Sequence, residues 1–185
     1  MEFCFLQLTR ELNSSTNTVR FIWFSSSAFS HFGATHYVST LHPSDLASIA
    51  GFLSLSSIAS KNYIYGIYHP PPTASPGTTI SAGGIEEFLQ TYFKTLVSKP
   101  YIPLPAGLDN GDFTAFAEAG IPWGALTSGT RQVKTEEWSK LFGGWAGKEL
   151  DWNDGGKGDL LAEMNTGAWI ENTKAAAHWV AEMAR

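Results

Sequence analysis

The stretch from Gly107 to Gly147 constrains this chain more than any other. It reads GLDNGDFTAFAEAGIPWGALTSGTRQVKTEEWSKLFGGWAG. An acidic glycine-rich loop, a short helix, a buried-strand signal, a second glycine-rich loop and a capped helix follow one another without a break. Asp112 is placed to cap a helix over Phe113–Ala119, with Gly120 as the residue that ends it. Ile121–Thr127 reads as a strand, and Thr135 as the cap of a helix over Glu136–Phe142. Turn chemistry packed this tightly between apolar segments is what the rim of an active site in an α/β enzyme requires.

Around this stretch the chain alternates element types. Residues 2–12 read as an amphipathic helix and Val19–Phe24 (VRFIWF) as a buried strand. Ser25–Ser30 is a small-residue loop, and Gly33–Leu41 a helix that ends before Pro43. After a turn at His42–Ala47, strands are expected within Ile49–Ile58 and Asn62–Tyr68. His69–Ala82, with its prolines, is a long loop. Gly83–Val97 carries Ile85, Phe88, Leu89, Tyr92, Phe93 and Leu96 on one helical face. Tyr101–Leu104 fits only an edge strand, because Pro100 and Pro103 cannot donate to a ladder. Residues 148–159 are loop and Thr166–Ala184 is a terminal helix. The order implies one domain over residues 1–185, a three-layer α/β/α sandwich with a mixed sheet.

Composition excludes several partner classes. Only 16% of residues are charged, the net charge is −5, and no Lys/Arg cluster offers a nucleic-acid surface. The apolar runs are too short to span a bilayer, so no membrane role is expected. The start, MEFCFLQLTREL, lacks the basic region of a signal peptide, which makes the cytoplasm the default expectation. Cys4 stands alone and forms no internal disulfide.

The ordered set Asp112, Phe116, Ala119-Gly120-Ile121-Pro122, Gly124-Ala125-Leu126-Thr127-Ser128-Gly129, Lys134-Thr135-Glu136-Glu137 and Leu141–Gly147 (LFGGWAG) resembles the M28 family of zinc aminopeptidases and peptide hydrolases. Val19–Val38 is similar to that family's strand and following helix, Ser60-Lys61-Asn62-Tyr63 to its SPNY turn, and the terminal helix to its last one. The resemblance covers nearly all of this chain and about the last two-thirds of the family's catalytic domain. It implies a zinc-exopeptidase-like fold lacking the first strands of the usual domain. Sheet completion by a second protein chain or a homo-oligomer is therefore expected.

The resemblance also implies a chemistry. The family uses two zinc ions, held by five protein ligands, with a glutamate as general base for metal-bound water. A gapless match from Arg20 to Val38 sets Ser27 and Ala28 at the places of the base and of the zinc ligand beside it. Ser56 stands at the next ligand position and Gly155 at the last. None of these four side chains supplies a carboxylate or imidazole. The expectation is an M28-like protein that is catalytically degenerate on its own and works as a binding or subunit-type pseudo-peptidase with no catalytic residue and no cofactor. Two alternatives stay open. One is a zinc-dependent aminopeptidase completed by a partner chain. The other is a peptide-modifying or small-molecule activity in a remodelled pocket.

The remaining candidates are a pocket rim of Asp112, Phe113, Trp123, Gly129 and Trp152, with Trp138 and Trp145 nearby, suited to a peptide or an aromatic small molecule. Asp112 reads either as a helix cap or as the group that orients a substrate amine. The five histidines read as surface or capping residues. Ser25–Ser27 has no His/Asp partner placed by any pattern. Asp151–Asp159 resembles a calcium loop only faintly, since the glutamate that would close it is missing.

Overall fold

The computed structural model describes residues 17–27, 30–69, 83–106, 111–152 and 160–184. The helix expected over 2–12, the loop after His69, Ala28 and Gly155 fall outside these.

Two helices come first, α1 (Phe32–Thr40) and α2 (Pro43–Ala47). The strands β1 (Phe52–Ser56) and β2 (Gly66–His69) follow. α3 (Gly83–Thr91) runs on into a π-helical turn, Tyr92–Leu96. Then come β3 (Ile102–Pro105), α4 (Phe113–Glu118), β4 (Trp123–Thr127) and α5 (Glu136–Phe142). A 3₁₀ turn at Leu161–Glu163 leads into α6 (Thr166–Ala184).

Among the described residues the strands form one mixed sheet in the order β1-β4-β2-β3. β4 runs parallel to β1, pairing Phe52 with Trp123, and antiparallel to β2, pairing Gly66 with Thr127. β2 and β3 are parallel. Every residue of β4 is buried, and the period-2 alternation of a strand explains how. Trp123 stacks on Phe113 of α4, centroids 4.4 Å apart. Gly124, on the opposite face, lies under Ile85 of α3, where a Cβ would come within 2.3 Å of a methyl carbon. Helices therefore cover both faces, as an α/β sandwich requires, and the close approach of α3 depends on glycine at position 124. β3 is the edge strand that its prolines demanded.

Two apolar clusters hold the layers together. The larger joins Ile64, Ile67, Leu89, Phe93, Leu104, Leu126, Leu150 and Trp179 across the sheet. The smaller gathers Ala34, Val38, Ala115, Phe116 and Ile121 beneath α1 and α4. At its centre Phe52 and Phe116 stack with centroids 3.7 Å apart.

Four expectations need correction. Val19–Phe24 joins no ladder among the described residues. Phe24 instead lends its ring to the smaller cluster, 5.7 Å from Tyr37 and 6.1 Å from Phe116, while Trp23 is 69% exposed. The strand expected from Asn62 starts only at Gly66, because Asn62 N and Ile64 N donate to the loop carbonyls of Leu150 and Ser128. The turn at His42–Ala47 is mostly helix, with Pro43 at its first position and the His42 ring accepting from Ser44 N at 3.3 Å. The helix over Gly83–Val97 changes to π-helical pitch at Tyr92. Among the described residues no helix is long and apolar enough to cross a membrane.

Candidate functional site

The opening loop of the motif meets the serine-rich loop. Asp112 stands at the head of α4 but has helical backbone angles, φ −54° and ψ −22°, and its side chain makes no cap bond. That corrects the capping role given to it. Its carboxylate turns the other way and accepts from Ser27 Oγ at 2.9 Å. The other carboxylate oxygen faces His31 Nδ1 at 3.6 Å. His31 heads α1, again without a side-chain cap bond. Ser26, Ser30 and His31 all have left-handed φ, at 60°, 54° and 53°. Left-handed backbone costs a non-glycine residue energy, so surrounding structure must hold this loop in shape.

The other rim candidates disperse. Phe113 and Trp123 are 4% and 3% exposed and spend their rings on the core. Gly129 is buried in a turn at φ 93°, against Leu150. Trp152 joins Trp145 in an exposed edge-to-face pair, 5.7 Å between centroids, with Lys61 and Lys148 near its ring. Ser56 is exposed at the end of β1. His178 lies between the rings of Phe88 and Tyr92.

Two polar residues take places that the sequence did not reveal. Lys134 is buried, yet its Nζ has carbonyl acceptors, Tyr63 O at 2.8 Å and Asn62 O at 3.3 Å. Rings of Tyr63 and Phe142 lie 5.5 and 5.9 Å from it. Burial pushes its pKa down from 10.5 to about 8. His31 is the other. A histidine four residues beyond Ser27 was the available signal, but only the fold sets it opposite Asp112.

The sequence model of peptidase family M28 matches residues 4–168. The chain belongs to peptidase family M28. It is 37% identical over 173 residues to the probable leucine aminopeptidase 2 of Aspergillus fumigatus, covering 92% of this chain and 34% of that protein. The leucine aminopeptidase 2 of Trichophyton equinum is also 37% identical, over 169 residues, with 91% and 34% covered. The chain thus spans about a third of the length of these curated relatives. Among solved structures, BSAP, a zinc aminopeptidase from Bacillus subtilis, superposes with a TM-score of 0.66 at 18% identity. It covers 96% of this chain, which matches 40% of BSAP. The LapA aminopeptidase of Legionella pneumophila gives 0.64 at 13% identity, covering 98% and 44%. These likenesses establish the zinc-aminopeptidase fold.

The expectation of no cofactor is corrected by this comparison. BSAP is a zinc aminopeptidase, and zinc is the cofactor of the family. The residues at the matched positions do not fit the family's zinc pair. Ser27 and Ser56, the two that are described, bear hydroxyls where that chemistry uses carboxylates. Among the described residues no three His, Cys, Asp or Glu side chains come together to hold a metal ion.

Proposed function

We propose that this chain is an M28 domain that is catalytically degenerate on its own and serves as a peptide-binding or subunit-type module. The observation that carries the proposal is the Ser27 hydroxyl. The sequence match sets it at the place of the family's general base, and its Oγ donates a hydrogen bond to Asp112. A hydroxyl so engaged takes no proton from water at neutral pH, and none of the four positions matched to the family's base and ligands carries a carboxylate. Ser56, at a ligand position, supports the same reading. The leucine aminopeptidase relatives suggest the ligand class, a peptide that begins with an apolar residue.

The test is hydrolysis of leucine p-nitroanilide by the purified chain, with zinc supplied and after chelation. No release of nitroaniline above the protein-free rate is expected in either condition. Turnover that vanishes on chelation and returns with zinc would overturn the proposal.

A further inference from the structure

The two edges of the sheet differ. β3 carries Pro103 and Pro105, which cannot donate to a further strand. β1, at the other end of the order β1-β4-β2-β3, reads Phe-Leu-Ser-Leu-Ser, without a proline or a charge. Phe52 N donates to Pro122 O at 2.8 Å, on the β4 side. By the period of two, Phe52, Ser54 and Ser56 face the β4 ladder, and Leu53 and Leu55 turn their N–H and C=O groups the other way. Among the described residues no strand meets those four groups. An edge left in this state is a template for another chain.

The strand is complementary to itself. From Leu53 to Leu55 its sequence reads the same in both directions about Ser54. Set antiparallel to a second β1 about a twofold axis at Ser54, Leu53 of one copy faces Leu55 of the other, twice. Each such pair exchanges two backbone hydrogen bonds, so the four open groups of both copies are satisfied together. Leu53 and Leu55, half-buried against the larger cluster, each gain a leucine across the axis. The opposite face of β1 borders exposed aromatic surface. The Phe24 ring lies 6.4 Å from Phe52, and Gly33 of α1 approaches Phe24 and Ser25 too closely to admit a Cβ. Their chain neighbours Trp23 and Phe32 are 69% and 65% exposed. Aromatic side chains bury about 150–250 Å² each, so the four in a dimer offer roughly 500 Å², and with the two strand edges the interface nears the roughly 1,000 Å² that specific association needs.

We propose that two copies of this chain join along β1 into one continuous sheet, with Ser54 on the twofold axis. The proposal names a partner for the subunit-type role given above and rests on that reading to this extent. Edge pairing uses backbone groups, which both copies present in the same register.

The experiment is the mass of the purified full chain by light scattering after size exclusion, at micromolar concentration. The mass of two chains is expected. Leu55→Pro removes an outward N–H and spares those that bond to β4, so it should weaken the dimer by roughly tenfold or more. Circular dichroism checks that this variant is folded. Ser54→Cys, made together with Cys4→Ser, reads the register. Residues paired without backbone bonds have Cα atoms about 4.5 Å apart, inside the roughly 4.4–6.8 Å span of a disulfide. Oxidised glutathione should therefore give a covalent dimer, and Lys140→Cys in the same background, at an exposed position of α5, should not. If Leu55→Pro fails to fold, the cross-link decides. A monomer overturns the inference and leaves the edge to a chain of different sequence. A dimer that Ser54→Cys fails to cross-link overturns it as well. Turnover of leucine p-nitroanilide by the dimer would overturn the degeneracy and leave the β1 interface standing.

Discussion

Asn62 shows what a single side chain does beneath the motif. It is 1% exposed, and its amide donates to Trp145 O at 2.9 Å and to Glu149 O at 3.1 Å. Its oxygen accepts from Trp145 N at 2.9 Å. One amide thus templates the whole turn after α5. Gly144, at φ 81°, passes so close that a Cβ there would come 2.3 Å from the Asn62 oxygen. Asn62→Ala would leave the part-buried Trp145 N–H and two carbonyls unpaired, at about 1–3 kcal/mol for the first and less for carbonyls that water reaches. A loss of roughly 3 kcal/mol in unfolding free energy is expected from urea titration, and a loss well under 1 kcal/mol would show that the loop holds itself. The sequence displayed Asn62 only as part of a turn resembling SPNY, since nothing local reveals partners more than eighty residues away.

At the scale of elements, α6 is fastened to the π-helical turn by one carboxylate. Glu171 accepts from Tyr92 Oη at 2.8 Å and from Lys99 Nζ at 2.5 Å. Lys99 also lies 5.5 Å from the Tyr65 ring. Burial alone would raise the Glu171 pKa, but the hydrogen bonds from Lys99 and Tyr92 outweigh it and hold the group below its ordinary value. Breaking a fully buried pair costs about 3–5 kcal/mol, and Lys99 keeps partial access to water, which discounts the figure. Glu171→Leu is expected to lower stability by about 2 kcal/mol and to speed amide exchange in the Tyr92–Leu96 turn first. Loss of protection elsewhere in the chain with no early loss in the π-helical turn would refute the tie. Helices with caps and strong periodicity were legible beforehand: α5 matches its Thr135 cap, and Thr135 Oγ1 accepts from Trp138 N at 3.1 Å. Strands were less so. Val19–Phe24 has the side chains of a strand, yet β propensity records fitness for a pleated surface and never supplies the neighbouring backbone. The π pitch at Tyr92 was invisible because the apolar spacing of Gly83–Val97 reads as an ordinary helix; the turn keeps Tyr92 and Phe93 buried but leaves Leu96, read onto the same face, 58% exposed.

For the whole molecule, the motif's order fixed the family and the two-faced covering of β4, while the site stayed hidden because His31 and Asp112 meet only after folding. Charge burial is equally a property of the assembled fold, and it predicts the shape of the stability curve with pH. Lys134 has its folded pKa lowered to about 8, against 10.5 unfolded. Between those values the unfolded chain binds the extra proton, so stability rises with pH through that window. Tyr65 and Tyr92 act with the opposite sign. Burial raises both phenols above 10.0, so the unfolded chain releases their protons first and stability falls beyond that point. Lys99, held protonated by Glu171 against the pull of burial, adds to the fall. Urea midpoints should therefore climb from about pH 8 toward pH 10 and then turn down. Lys134→Met removes the titrating group while keeping an unbranched chain over Tyr63 and Phe142, so it should flatten the climb and leave the descent. Equal slopes for the two proteins below about pH 10 would mean that the Tyr63 and Asn62 carbonyls compensate the buried ammonium in full.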